Sequence, residues 1–230
     1  MGGMMSLQGA TIVFDLDGTL VDTVGDLIGS LNVVLVEHKH SPVPVAAGRR
    51  LIGHGVGALV EQAFAEQGEQ LDSGRLGAMV ERFTEVYRGR IAQESKVYEG
   101  VPEALDQLAA AGARLAVCTN KRTALSVALL DALQLTRRFA FVAGGDLIAQ
   151  KPDPRILRYA IAQAGGSPGR ALFVGDSMVD QATARAASVP VVGVTLGYVA
   201  TPLKAGDFDA LIDRFEELPA VAERLVGRPA

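Results

Sequence analysis

Five short apolar runs punctuate the chain: Thr11–Asp15, Arg114–Cys118, Phe139–Ala143, Ala171–Gly175 and Val191–Val194. They are rich in β-branched residues and show no apolar–polar alternation, which predicts strands buried on both faces. Between the last four the period lengthens to that of a helix. "PEALDQLAAAG" carries Pro102 at a first turn and Gly112 as a stop, and "PRILRYAIAQAGG" repeats the pattern. Strands alternating with helices predict an α/β fold, a doubly wound parallel sheet with a Rossmann-like core. Residues 21–92 are different: they hold no strand pattern, and "DLIGSLNVVLVEH", "GALVEQAFAEQG" and "GRLGAMVERFTEVYRGRI" repeat at helical spacing. The expected organisation is a core of residues 1–20 and 93–230, with a helical cap of residues 21–92 inserted after the first strand. That insert falls where a lid over the sheet's edge would control substrate selectivity. There is no internal repeat.

Composition narrows the function classes. Hydrophobic residues make up 49% of the 230 positions and aromatics only 5%, so the core is one of Ala, Val, Leu and Ile. The net charge of −4 comes without a basic stripe, which excludes a nucleic-acid footprint. Cys118 is the only cysteine, which rules out an intrachain disulfide and a cysteine-based zinc site and fits a reducing compartment. The start, "MGGMMSLQGA", has neither a cationic segment nor a long apolar one, and no run is long enough to span a bilayer. The expectation is a cytoplasmic protein without a membrane partner, a monomer or homodimer acting on a small molecule.

In parallel sheets ligands collect beyond the carboxyl ends of the strands, so the strand endings are where chemistry is expected. The first run passes into "DLDGTLVDT", where Asp15 and Asp17 flank Leu16 and Gly18 turns the chain. Two carboxylates so close cannot both ionise comfortably without a cation between them or a shared proton. Taken alone, they also suit a strand running into a solvated Asp-Gly turn. The second run leads into "CTNK", where Thr119 and Asn120 offer a hydroxyl and an amide. The third leads through "GGD" to "QKPDP", with Lys151 just before Pro152, where a helix is expected to begin. The fourth ends in "GDSMVD", adding Asp176 and, one turn on, Asp180. Asp176 and Ser177 also suit a plain helix N-terminus. Taken together, three or four acidic oxygens at one sheet edge suit a hard cation such as Mg²⁺. A carboxylate nucleophile, a metal, a cation with a hydroxyl and a second carboxylate are the parts of a phosphoryl-transfer site.

"DLDGTLVDT", "CTNK", "KPDP" and "GDSMVD", in this order and each after its own strand, resemble the four motifs of the haloacid dehalogenase superfamily. Within it, "VFDLDGTLVDT", "LIGHGVGALVEQAF", "VYEGVPEAL", "GGD" and "KPDP" are most similar to bacterial phosphoglycolate phosphatases. The resemblance implies a Mg²⁺-dependent phosphomonoesterase that forms an aspartyl-phosphate and acts on a small phosphate ester, 2-phosphoglycolate. It assigns attack on phosphorus to Asp15, and general acid and base work to Asp17, whose backbone carbonyl also meets the metal. Thr119 and Lys151 would hold the transferring group, Asp176 would complete the metal ligands Asp15 and Asp17, and Asp180 would support them from behind. Gly18, Asn120 and His54 are the expected substrate contacts.

Selectivity must come from the far end of the substrate, and "RRLIGHGVGAL" in the insert is the segment expected to supply it. Its glycines permit close backbone approach, and His54 is one of three histidines; an exposed His at a helix N-terminus fits the same pattern. Few aromatics argue against a nucleoside pocket. Mutases of similar architecture carry an arginine after the corresponding glycine and a glutamate at the position of Gly175. This chain has Val56 and Gly175 there, which favours hydrolysis. A sugar-phosphate phosphatase, an inorganic pyrophosphatase and a catalytically silent scaffold remain as alternatives.

Overall fold

The computed structural model describes residues 6–198 and 203–227. A six-stranded sheet has the order β5-β4-β1-β6-β7-β8, from β1 (Thr11–Phe14), β4 (Arg114–Cys118), β5 (Phe141–Ala143), β6 (Ala171–Gly175), β7 (Val191–Val194) and β8 (Ala210–Ile212). Every pairing in it is parallel. The five predicted runs all lie in this sheet. β8 was not foreseen: three residues between Asp209 and Asp213 leave too short an apolar signal to read.

Alternate residues of β1 face opposite helical layers, as a period of two requires. Ile12 and Phe14 pack on α5 (Val101–Ala110), α6 (Thr123–Ala132) and α9 (Leu218–Val226); Val13 packs on α7 (Pro154–Gln163) and α8 (Met178–Ala187). Ile12, Val13 and Phe14 are fully buried, each stabilising the fold by ~1.5–3 kcal/mol relative to exposure. The helix starts explain themselves locally. Gly112, at φ +93°, follows the end of α5, and Asp153 caps α7 by accepting from Arg155 N at 2.9 Å. The helix after Lys151 therefore begins at Pro154 and not, as expected, at Pro152: the Asp153 carboxylate takes the capping position.

Between β1 and α5 the chain forms α1 (Val24–Glu37), α2 (Val45–Gly48), α3 (Gly55–Glu66) and α4 (Ser73–Arg90). Leu31, Val34, Leu59, Phe64, Phe83 and Tyr87 centre a second apolar cluster, which Leu125 of α6 and Tyr198 join from the sheet layer. The chain leaves and re-enters the sheet layer through β2 (Val21–Asp22) and β3 (Lys96–Val97), paired antiparallel. This corrects the expectation of a strand-free stretch from residue 21 onward; a strand of two residues has no periodicity to detect. The crossing is stapled by Asp26, fully buried, whose carboxylate accepts from the backbone N–H of Glu94 and Ser95 and from Ser95 Oγ. No helix among the described residues is long and apolar enough to cross a membrane.

Candidate active site

Asp15 follows β1 directly, and its backbone N–H still bonds to Val174 O of β6 at 2.9 Å, so the adjoining strand fixes its position. Lys151 arrives from the loop after β5, with its side chain 2% exposed. Its Nζ lies 2.8 Å from Asp15 Oδ1 and 2.6 Å from Asp180 Oδ1. Only the second contact has hydrogen-bond geometry, and Asp15 Oδ1 is buried without an aligned donor.

Asp176 lies just beyond β6. Its Oδ1 accepts from Thr19 Oγ1 at 2.9 Å and its Oδ2 from Tyr198 N at 3.1 Å. Ser177 caps α8 in a capping box with Asp180, whose Oδ2 takes both Ser177 N and Ser177 Oγ. Asp180 is thus committed on both oxygens. Carboxylate oxygens of Asp15, Asp176 and Asp180 fall within 4.8 Å of one another. Burial pushes the Asp15 carboxyl up to about 8 from its ordinary 3.8, because Lys151 does not outweigh desolvation and the neighbouring Asp180 and Asp176. Asp176 rises to about 7, again through burial first and Asp180 second. Burial also pulls on the Lys151 ammonium, but Asp15 and Asp180 more than reverse it, so Lys151 titrates above its ordinary range.

Asp17 turns the other way. Lys121 Nζ bonds its two oxygens at 2.8 and 3.0 Å, and Thr23 Oγ1 donates to Oδ1 at 2.7 Å. The close aspartates are therefore separated by two different lysines. Sequence reasoning gave Lys121 no role, although it ends the "CTNK" motif; its partner is far along the chain, and nothing local marks the pairing. Fully ionised, the four carboxylates (Asp15, Asp17, Asp176, Asp180) meet two ammonium groups with an excess of two negative charges, which a divalent cation would cancel. The bare Asp15 oxygen, the raised carboxyls and the hard oxygen donors all fit Mg²⁺.

Gly18 has φ +86°, and a Cβ there would lie 2.5 Å from Asp176 Oδ2, so only glycine lets the turn pass this close to the cluster. At Gly175 a Cβ would lie 2.4 Å from Asp180 Cγ, which leaves no room for the glutamate of the mutases while Asp180 holds this position. Asn120 braces the loops: its Oδ1 accepts from Lys151 N at 2.7 Å, and its Nδ2 donates to Gly53 O at 3.2 Å, bridging to the helical layer.

Two cavities meet at Asp15 and Asp17. One, of about 60 Å³, runs under the helices between Thr119, Asn120, Lys121 and an apolar wall including Val56, Leu59, Phe83 and Tyr87. The other, of about 290 Å³, opens past Asp176, Ser177, Met178, Arg50 and His54. His54 is exposed and precedes α3 without a side-chain capping bond. Tyr198, which no sequence signal picked out, joins both sides: its N–H holds Asp176, and its hydroxyl bonds Asp22 Oδ1 at 2.9 Å and accepts from Val24 N at 3.2 Å.

Comparison with known proteins identifies the family and the fold. Residues 12–194 match the family model of haloacid dehalogenase-like hydrolases. The phosphoglycolate phosphatase of Caulobacter vibrioides is 47% identical over 220 residues, covering 95% of this chain and 93% of that one. That of Mesorhizobium japonicum is 45% identical over 217 residues, covering 94% and 96%. The crystal structure of a predicted phosphoglycolate phosphatase from Haemophilus somnus 129PT superposes with a TM-score of 0.84 at 31% identity, covering 94% of this chain and 99% of that one.

Proposed function

The chain belongs to the haloacid dehalogenase-like hydrolases, and on that premise we propose that it is a Mg²⁺-dependent phosphatase that splits 2-phosphoglycolate into glycolate and phosphate. The observation that carries the reading is the seat of Asp15: a buried carboxylate past an interior strand, with one oxygen free of any aligned donor. Its surroundings are those a nucleophile toward phosphorus needs, with Lys151 at 2.8 Å and Thr119 on the same cavity wall.

In the first step an Asp15 oxygen attacks phosphorus, the bond from phosphorus to the ester oxygen breaks, and Asp17 gives its proton to the departing alkoxide. In the second, water attacks the aspartyl-phosphate, Asp17 takes a proton from that water, and the bond from phosphorus to Asp15 breaks to free phosphate. The Lys151 ammonium and the Thr119 hydroxyl hold the phosphoryl oxygens during both steps. Asp15, Asp176 and the Asp17 carbonyl would hold Mg²⁺, which would supply positive charge against the phosphoryl oxygens, while Asp180 keeps Lys151 in place. Residues 21–92 act as the lid that chooses the leaving group, and the single buried thiol, Cys118, suits a cytoplasmic setting.

The test is a panel of phosphate esters ranked by kcat/KM with Mg²⁺ present. 2-Phosphoglycolate is expected to lead. Hexose phosphates or pyrophosphate well ahead of it would overturn the substrate assignment, and no phosphate release from any ester would overturn the enzymatic reading.

A further inference from the structure

We propose that Lys121, together with Tyr87 of α4, reads the carboxylate of the substrate's leaving group and is the specificity-determining pair of the smaller, apolar-walled cavity; this rests on the phosphoglycolate reading above. A carboxylate entering an apolar cavity must meet a cation there or stay in water. Four other cations lie near the site, each already beside an acidic group. Lys151 is held between Asp15 and Asp180. Arg50 is bidentate to Glu66 and borders the other cavity. Arg49 lies between Asp22 and the Tyr198 ring. Arg122 borders the same cavity as Lys121, but its side chain is 43% exposed and lies 3.9 Å from Glu81.

Lys121 is different. Its side chain is 5% exposed, it lines the cavity shared with Asp15 and Thr119, and its Nζ overlies the Tyr87 ring at 4.6 Å. An ammonium has three donors. Two are directed at Asp17, and the third faces Tyr87, where an incoming oxygen can meet both groups. Tyr87 is buried and borders the same space, and its Oη, beside the Lys121 ammonium, accepts no well-aligned hydrogen bond and keeps its own O–H to donate to an incoming oxygen. Burial pulls the Lys121 ammonium down, but Asp17 and Tyr87 more than reverse this, so the group stays a cation at neutral pH.

The rest of the wall explains what is refused. Leu27, Ile52, Val56, Leu59, Phe83 and Leu125 offer no side-chain partner to the hydroxyls of a sugar. A leaving group that is short, anionic and free of extra hydroxyls satisfies every donor and strands none. The same ammonium touches Asp17, so the leaving group's carboxylate and the acid that protonates its alkoxide are set side by side.

The experiment compares 2-phosphoglycolate with ethyl phosphate, which lacks the carboxylate, in the Mg²⁺-loaded wild-type protein, Lys121→Met, Lys121→Arg and Tyr87→Phe. Calorimetric binding of 3-phosphonopropionate against propylphosphonate repeats the comparison without turnover. The wild type is expected to prefer the carboxylate ligand by on the order of 10³-fold in kcat/KM. Lys121→Met should collapse that ratio to within about tenfold, Lys121→Arg should recover part of it, and Tyr87→Phe should lower it by roughly three- to tenfold. Because Lys121 also holds Asp17, rates on both esters fall in Lys121→Met, and only their ratio reports recognition. A Lys121→Met ratio equal to the wild type's, in rates and in binding, would overturn the proposal and leave the substrate assignment standing. An unchanged ratio in the near-isosteric Tyr87→Phe would remove Tyr87 from the pair even if Lys121→Met does not fold. A wild type with no preference for the carboxylate would overturn both readings together.

Discussion

Asp15 and Asp17 are near neighbours in the chain, but they are held by different parts of the molecule. The charged groups in contact with Asp15 follow sheet strands: Lys151 after β5, Asp176 just past β6 and Asp180 in the first turn of α8. Asp17 is held by Thr23, where the helical layer begins, and by Lys121, which leans on Tyr87 of α4. The first environment is a crowd of buried carboxylates short of positive charge; the second is one ammonium in an apolar chamber. On the proposed reading this is a division of labour, with attack on phosphorus assigned to groups past the sheet strands and choice of leaving group to contacts shared with the helical layer.

The largest effect should come from breaking the sheet side. Asp15→Asn removes the proposed nucleophile and is expected to lower kcat by roughly 10⁴-fold or more, with a native circular dichroism spectrum, since the amide has the shape of the carboxyl it replaces. Phosphate release by protein free of contaminating phosphatase checks it; near-normal turnover would take the nucleophilic role from Asp15.

Lys151→Met should come next. It leaves Asp15 and Asp180 buried without their cation, which costs about 3–5 kcal/mol of stability as well as activity. Urea unfolding measures the loss. If the variant matches the wild type in stability, the ammonium is not what holds the carboxylates together.

A third expectation concerns pH and metal. Asp15 and Asp176 hold their protons more tightly folded, at about 8 and about 7, than at their ordinary 3.8. Their contribution to stability is therefore complete below 3.8 and is lost as pH rises through about 7 to 8. In chelator, the melting temperature should fall across that window, and Mg²⁺ should restore it most at the alkaline end. A melting temperature that is flat with pH in chelator and indifferent to Mg²⁺ would contradict this charge balance.

The smallest effect sharpens the cap side. Gly77 lies in α4, exposed, and nothing stands within 4 Å of a Cβ placed there. Gly77→Ala should stabilise the protein by about 0.4–1 kcal/mol without a change in the preference among esters. A shift in that preference would mean that selection depends on the helical layer's flexibility and not on its seated contacts.

The fold was legible wherever a run was buried on both faces. Thr11–Phe14 and Ala171–Gly175 are buried throughout because helices cover both sides of the sheet, and all but Thr11 are without a polar side chain. β8, β2 and β3 escaped because two or three residues carry no pattern, and their pairing is set by the strands beside them. In the site, Asp15, Asp176, Thr119 and Lys151 could be named because each stands just past a strand or within a strand-end motif, so the strand reading located them too. Lys121 could not: a lysine in a loop looks like any solvated charge until Asp17 and Tyr87 enclose it.

What the amino-acid order determined by itself was local in origin: which stretches are apolar enough to be strands, which start helices, and which carboxylates end up at one edge of a parallel sheet. What only the tertiary structure decided was pairing. Lys151 falls to Asp15 and Asp180, Lys121 to Asp17, and Tyr87 from the helical layer closes over Lys121. The reason is physical. A strand declares itself through the hydrophobic pattern of its own residues, whereas a buried charge is settled by whichever opposite charge arrives within a few ångströms, and distance along the chain carries no record of that.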